Sequence, residues 1–580
     1  VTDTGVLTVG TVGAPIPSNF TARITITSTD PCIYPGANDP TVLGRGIVSD
    51  GNIQMYGAAK TAFLPLAGQS APIGTNSLVL DSAPSGWQIG DQIVVPDTAF
   101  FRSFALTDMT QNGYLKNEVR TITAINGSTI SLNSALIYNH SCVGVANGQI
   151  HIANLTRNVV VRSQNFVDQS YQDISNIATR GHVMTCRNNA SFYNAAFVGL
   201  GRTNKRQLTT DPNPGIPASY DNPRTRYALH FHEGGVRDLT QVPGVVSGCV
   251  VNDTPGWGFV NHSSFVQMDN NVAYNFAGAG FVTQDGDEAG DFTHRFAVGG
   301  TGLGRFPYAR TVFGDNPRMS HTDFGFHGDG FWFQGPDVGC IDNVAAACKG
   351  SGFIFWAVGR MNEITKGMTG FPRTRTATRC RNYRDTGEFV TSHVQLRKVS
   401  GNTAYACMTG MKFRFQNNIG SSAINGFPGT LFSRVEGQNV FKNGTVSNTF
   451  IWNCLNGLHS GYQRNLIVDG LTVDWVATTS AKGGVGVDAN KVVDFMVYKN
   501  ITISNMTTAM YTGGTVTTSN LLFTNCTQGI VRSNVLGHTN FGQQFSDLPS
   551  LPHPQSGPSS TNFRFRPIQS SARFSWTGAG

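Results

Sequence analysis

Four copies of Gly-x-Gly-Phe, at Gly256 to Phe259, Gly278 to Phe281, Gly328 to Phe331 and Gly350 to Phe353, recur at intervals of 22, 50 and 22 residues. A period near 22 is what one turn of a three-sided β-solenoid requires, because each face takes a short strand and each corner a turn. The interval of 50 is then one coil carrying a loop insertion. A phenylalanine recurring at one coil position stacks inward on its neighbours, which assigns these rings to a core and not to a ligand. Asn-Val-Ala precedes two of the four copies by seven residues, at Asn271 and Asn343. Later, Asn465 to Gly470, Asn500 to Asn505 and Asn520 to Asn525 each pair an Asn with a second Asn or Gly five positions on, across a β-prone run. Asparagines at equivalent corners can join coil to coil through their side chains.

The chain is therefore expected to be all-β. A parallel β-helix occupies 141–535, with loop insertions near 203–224 and 357–400, and a Pro/Ser-rich extended tail follows over 536–580. Ahead of it, 1–140 reads as a separate β unit of short strands, with examples at Ala22 to Thr27, Ser77 to Leu80, Gln92 to Val95, Val119 to Ala124 and Thr129 to Leu132. The alternating tail segment Ala572 to Trp576 is suited to covering an open edge of its own helix or to pairing with a neighbour.

Only 13% of the 580 residues are charged, against about 25% in an average soluble protein. Polarity comes instead from Gly, Asn, Ser and Thr, which suits tight turns and a glycan-solvated exterior. Glycosylation sequons begin at Asn19, Asn126, Asn139, Asn154, Asn189, Asn252, Asn261, Asn443, Asn500, Asn505 and Asn525. Their density points to a secreted or cell-surface product of a eukaryotic secretory pathway. Ten cysteines lack the C-x-x-C pairs of zinc sites, and only Cys340 and Cys348 lie close enough to suggest a local disulfide. No apolar run approaches the ~20 residues of a membrane helix.

Candidate chemistry centres on Thr225-Arg226-Tyr227-Ala228-Leu229-His230-Phe231-His232. Read as a strand, it places Tyr227, Leu229 and Phe231 on one face and Arg226, Ala228, His230 and His232 on the other. Two imidazoles do not complete a metal site, and these residues require no cofactor. A divalent metal at His230 and His232 would need His140, His182, His294, His321, His327, Asp285, Glu288 or Asp329 to converge with them. A hydrolase would need two carboxylates, for which Asp285, Asp287, Glu288 and Asp329 are available. A lyase would need a carboxylate neutraliser and a base, which Arg226 and His230 could supply.

Between Arg360 and Lys398, nine basic residues face three acidic ones, an excess of +6 within a chain of net charge +7. Arg373, Arg375, Arg379, Arg381 and Arg384 at its centre are candidates for binding an acidic polysaccharide. The secretory signs argue against nucleic acid as the polyanion.

The run Gly86-Trp87-Gln88-Ile89-Gly90-Asp91-Gln92-Ile93-Val94-Val95, with Glu118 to Ile122 and Tyr138-Asn139-His140, resembles the second half of a G-eight domain. Asn154 to Val161, Gly181 to Met184, Arg226 to His232, Phe281 to Glu288, Gly330 to Phe333 and Asp342 to Ala346 then continue in the order found in the cell-surface hyaluronidase, cell-migration-inducing and fibrocystin families. The resemblance implies that the β-helix is right-handed, that 1–140 is a G-eight-type domain lacking its opening strands, and that Arg226, His230 and His232 belong to a site. Two functions follow as expectations. One is a structural or glycan-binding protein of a cell surface or extracellular assembly, associating with itself through its tail and N-terminal unit. The other is an enzyme of the hyaluronidase type, a hydrolase or lyase, with Asp285 and Glu288 as further catalytic candidates. Fold analogy alone does not decide between them.

Overall fold

The computed structural model describes residues 1–27, 43–100, 116–164, 166, 177–210, 212, 216–235, 242–286, 288–302, 324–335, 338–356, 396–414, 444–461, 463–476, 482–489, 493–494, 496–514, 516–532 and 574–577. The strands wind into a right-handed parallel β-helix with three faces, and the third face carries twelve strands in parallel succession. One coil reads Gly244–Ser247, Val250–Thr254 and Phe259–Ser264; the next reads Val266–Asp269, Val272–Phe276 and Ala279–Thr283. Gly244 pairs with Val266 in register, so the coil is the 22-residue period of the sequence.

The repeated phenylalanines are the spine of the core. Phe259, Phe281, Phe331 and Phe353 are fully buried and stack face to face at 4.9, 4.8 and 4.7 Å between ring centroids. Phe281 pairs directly with Phe331, so the 50-residue interval is a single coil. The second glycine of the motif is explained by the same stacking. A Cβ on Gly258, Gly280, Gly330 or Gly352 would lie 2.5 to 2.8 Å from the carbonyl oxygen of the next coil. The asparagine corners also ladder. Asn520 Nδ2 donates to Asn500 Oδ1 at 2.6 Å and Asn525 Nδ2 to Asn505 Oδ1 at 2.8 Å, all four residues having positive φ.

The expected boundary at residue 140 is corrected by the strand pairing. Val6–Val9 and Ala22–Ile26 pair in parallel with Asn52–Tyr56 and Val159–Ser163, so these early strands already belong to the β-helix. The antiparallel unit is an insertion between Asn52–Tyr56 and Val159–Ser163, built from Phe63–Pro65, Ser77–Val79, Gln92–Val95, Glu118–Asn126, Thr129–Leu132 and His151–Asn154. Its apolar core continues into the outer side of the second face through Val250, Val272, Phe296, Tyr405 and Trp452. Burying that face leaves the third face to carry chemistry. At the far end, Phe574–Thr577 pairs with Leu521–Thr524, so part of the tail covers the helix's own edge.

Cys340 and Cys348 are both buried free thiols, which corrects the suggested disulfide. They lie on successive faces, separated by the Asp342-Asn343 corner, and their sulfurs have different partners, Asn343 and Asn402 for one and the Ala346 carbonyl for the other. Burial raises the Cys340 thiol to about 12. Among the described residues no helix is long and apolar enough to cross a membrane.

Candidate metal centre

The third-face strand Leu229–Gly235 pairs in parallel with Phe259–Ser264, and the register sets His230 beside Val260 and His232 beside His262. Leu229 and Phe231 enter the core, which turns His230 and His232 outward. The alternation does not extend back to Tyr227. Thr225 has φ of 74° and the strand starts at Leu229, so Ala228 packs inside while Tyr227 stacks on Trp257 outside, at 4.4 Å.

Three imidazoles converge here, with one nitrogen from each of His230, His232 and His262 lying within 4.8 Å of the others. His232 Nδ1 and His262 Nδ1 are 2.8 Å apart. The remaining nitrogens are held by acceptors. His230 Nδ1–H donates to the Thr225 carbonyl at 2.9 Å, and His262 Nε2–H donates to Asp285 Oδ2 at 3.0 Å. These bonds fix the tautomers, leaving lone pairs on His230 Nε2 and His262 Nδ1 directed at the common centre. His230 Nε2 is buried and has no hydrogen-bond partner among the described residues. Burial holds the His230 imidazolium well below its ordinary range, and His232 and His262 add to the effect, so His230 is neutral. Glu233, half-buried, places Oε1 3.8 Å from His262 Nε2.

Of the expected site residues, Asp285 joins the centre as the carboxylate orienting His262. Glu288 does not. Its oxygens accept the backbone N–H groups of Gln284, Asp285 and Gly286 at 2.9, 2.6 and 2.7 Å, which fixes the turn and occupies the carboxylate. Arg226 donates to Thr225 Oγ1 and the Arg224 carbonyl, and its charge, with that of Arg202, depresses the neighbouring buried His182 after burial itself. His140 is in the inserted unit, bound to Pro96 and Glu118, and His294 bridges Asp269 and Asp342 on the exterior. Asp329 is sealed at a coil corner, accepting Ser351 N–H at 2.7 Å. Arg373, Arg375, Arg379, Arg381 and Arg384 lie outside the described residues, as do His321, Asp287 and Asn443.

His262 is the member of the cluster that sequence reasoning missed. It stands inside the sequon Asn261-His262-Ser263, and that sequon is itself corrected, since Asn261 is fully buried with its amide donating to the Ala289 carbonyl. Asn154 is likewise buried, donating to Asp91. Neither offers a glycan attachment point in the folded chain. Asn19, Asn126, Asn139 and Asn189 are exposed.

A parallel β-helix with an inserted antiparallel domain and an outward histidine cluster is the class these features define. Residues 221–411, which contain the cluster, match the family described as CEMIP beta-helix, and the chain is similar to G8 domain-containing proteins. Two G8 domain-containing proteins of Dictyostelium discoideum are 27% identical over 203 residues and 24% identical over 272 residues. Those matches take in 35% and 45% of this chain but only 11% and 16% of the relatives, so the chain spans less than a fifth of their length. Among solved structures, the family 28 exopolygalacturonase of Yersinia enterocolitica has a TM-score of 0.25 at 10% identity, covering 82% of this chain and all of that one.

Proposed function

We propose that His230, His232 and His262 bind one divalent transition metal, and that this centre serves a secreted β-helix protein acting on an acidic glycan. The observation that carries the reading is the pair of fixed lone pairs, on His230 Nε2 and His262 Nδ1, meeting the partly buried His232. Three imidazole nitrogens with an open fourth position suit Zn²⁺, which takes Zn–N bonds of about 2.0–2.1 Å. Tetrahedral bonds of that length separate ligand nitrogens by about 3.3 Å, so the ring pair now at 2.8 Å opens slightly and the widest spacing closes. Asp285 behind His262 is the carboxylate partner that metal-bound imidazoles commonly require.

Bound there, a metal would supply Lewis acidity toward a sugar carboxylate or a water molecule. His230 stays neutral because it is buried, so it binds without first losing a proton. Asp285 keeps His262 aligned. The acidic-glycan part of the reading is supported by the likeness of Arg226 to His232 to the hyaluronidase strand. The secreted location is supported by the exposed sequons. The structural alternative is less favoured at the C-terminal edge, where the tail pairs with its own helix.

Elemental analysis of the purified chain is expected to find about one metal per chain. His262→Ala should abolish retention, and metal-loaded protein should shorten an acidic polysaccharide on size exclusion. A wild-type chain that retains no added zinc through dialysis would refute the centre.

A further inference from the structure

A second polar cluster lies on the same outer face. His230, Val260, Val282, Trp332, Ile354, Lys412, His459 and Asp488 are successive register partners down the third face. At 4.7–4.9 Å per strand, His459 is about 29 Å from His230. Val260, Val282, Trp332 and Ile354 between them are buried in one apolar cluster with Tyr227, Trp257 and Phe324. The two polar ends of the face are therefore separate places.

His459 Nδ1–H donates to Asp488 Oδ2 at 3.1 Å, which leaves the lone pair on Nε2. That nitrogen has no hydrogen-bond partner among the described residues, although the His459 side chain is only 2% exposed. Burial pushes the imidazolium down to about 3, against the pull of Asp488 and with help from Arg414 and Lys412, so His459 is a neutral acceptor. Lys412 stands directly beside it on the preceding coil. Lys412 Nζ and Arg414 Cζ lie 5.5 and 5.3 Å from the centre of the Trp356 ring, which stacks on Trp332 at 5.6 Å.

Two cations, a neutral acceptor, a half-buried carboxylate and an aromatic wall suit a ligand that is anionic, hydroxylated and ring-shaped. The cations take a carboxylate, and His459 Nε2 and Asp488 accept hydroxyl protons. A simple inorganic anion would leave both acceptors unused. We infer that Lys412, Arg414, His459, Asp488 and Trp356 form a subsite for a uronate residue of an acidic glycan. The subsite rests on the glycan part of the function proposed above and is independent of the metal.

The full chain, treated with chelator, would be titrated calorimetrically with trigalacturonate, its methyl ester and neutral galactotriose. Trigalacturonate should bind, with the ester and the neutral sugar about tenfold weaker or worse. Lys412→Gln and His459→Gln should each weaken binding by about fivefold or more. Lys412 is partly exposed, so its variant keeps the test valid if the His459 variant does not fold. Absence of trigalacturonate binding, equal binding of the ester, or an unchanged affinity in Lys412→Gln would overturn the subsite. Because the metal is removed, each of these outcomes leaves the zinc measurement on the imidazole centre standing.

Discussion

Asp329 provides the sharpest energetic test of the coil architecture. It is fully buried at the corner opening the strand Asp329–Phe333, and Oδ1 accepts Ser351 N–H while Oδ2 has no partner among the described residues. Burial pushes its carboxyl up to about 7 from 3.8, the Ser351 N–H and the Lys412 charge recovering only part of the cost. Below about pH 4, folded and unfolded chains both hold the proton. Between about pH 4 and 7 only the folded chain holds it, so stability falls as pH rises through that window and is constant above it. With about 1.4 kcal/mol per pH unit, the penalty reaches about 4 kcal/mol at pH 8. Asp329→Asn keeps an acceptor for Ser351 and removes the ionisation. Urea denaturation should show the variant about 4 kcal/mol more stable than the wild type at pH 8 and nearly equal at pH 4. A stability difference that is the same at both pH values would refute a buried, proton-holding Asp329.

Asp285→Asn should lower zinc affinity about 10–100-fold while leaving the melting temperature of the metal-free chain nearly unchanged, as read by competition with a chromogenic chelator. An unaltered affinity would show that His262 needs no carboxylate. Gly330→Ala puts a Cβ 2.6 Å from the Gly352 carbonyl oxygen and 2.9 Å from Ala345 Cβ, so thermal unfolding should report a loss of about 1–3 kcal/mol. Gly68→Ala meets nothing within 4 Å and is expected to stay within about 0.5 kcal/mol of the wild type.

The solenoid was legible because its constraint is local and repeated. Each Gly-x-Gly-Phe states one coil's demand for a stacked ring and for backbone contact without a Cβ, and 22 residues separate the copies wherever no loop intervenes. The asparagine ladder was legible between the last two coils, where Asn500 with Asn520 and Asn505 with Asn525 share positive φ and a corner amide, but one coil earlier the register sets Gly470, not Asn465, at the position of Asn500. The inserted domain was not. Its strands read correctly as short and alternating, but Ala22–Ile26 finds its partner at Val159–Ser163, across the whole insertion, and no residue in either strand encodes that jump. The glycosylation motif fails in a related way. Asn154 and Asn261 satisfy the tripeptide, and only the tertiary structure shows their amides occupied by Asp91 and Ala289.

His262 shows where a stricter reading of the repeat would have reached the site. Phe259 pairs with Leu229, so the first Gly-x-Gly-Phe has a predecessor one coil earlier in which Arg226 and Ala228 stand at the positions of Gly256 and Gly258. The glycines are absent there, so the motif starts at residue 256 while the coils continue below it. Setting Leu229 on Phe259 brings His232 onto His262 by count alone, with no structure needed. What the count cannot supply is the orientation of the rings. The Thr225 carbonyl is reached through a residue at φ 74°, and Asp285 arrives from a turn clamped by Glu288. Both are loop conformations outside the repeat, and they are what turns three neighbouring histidines into three convergent nitrogens.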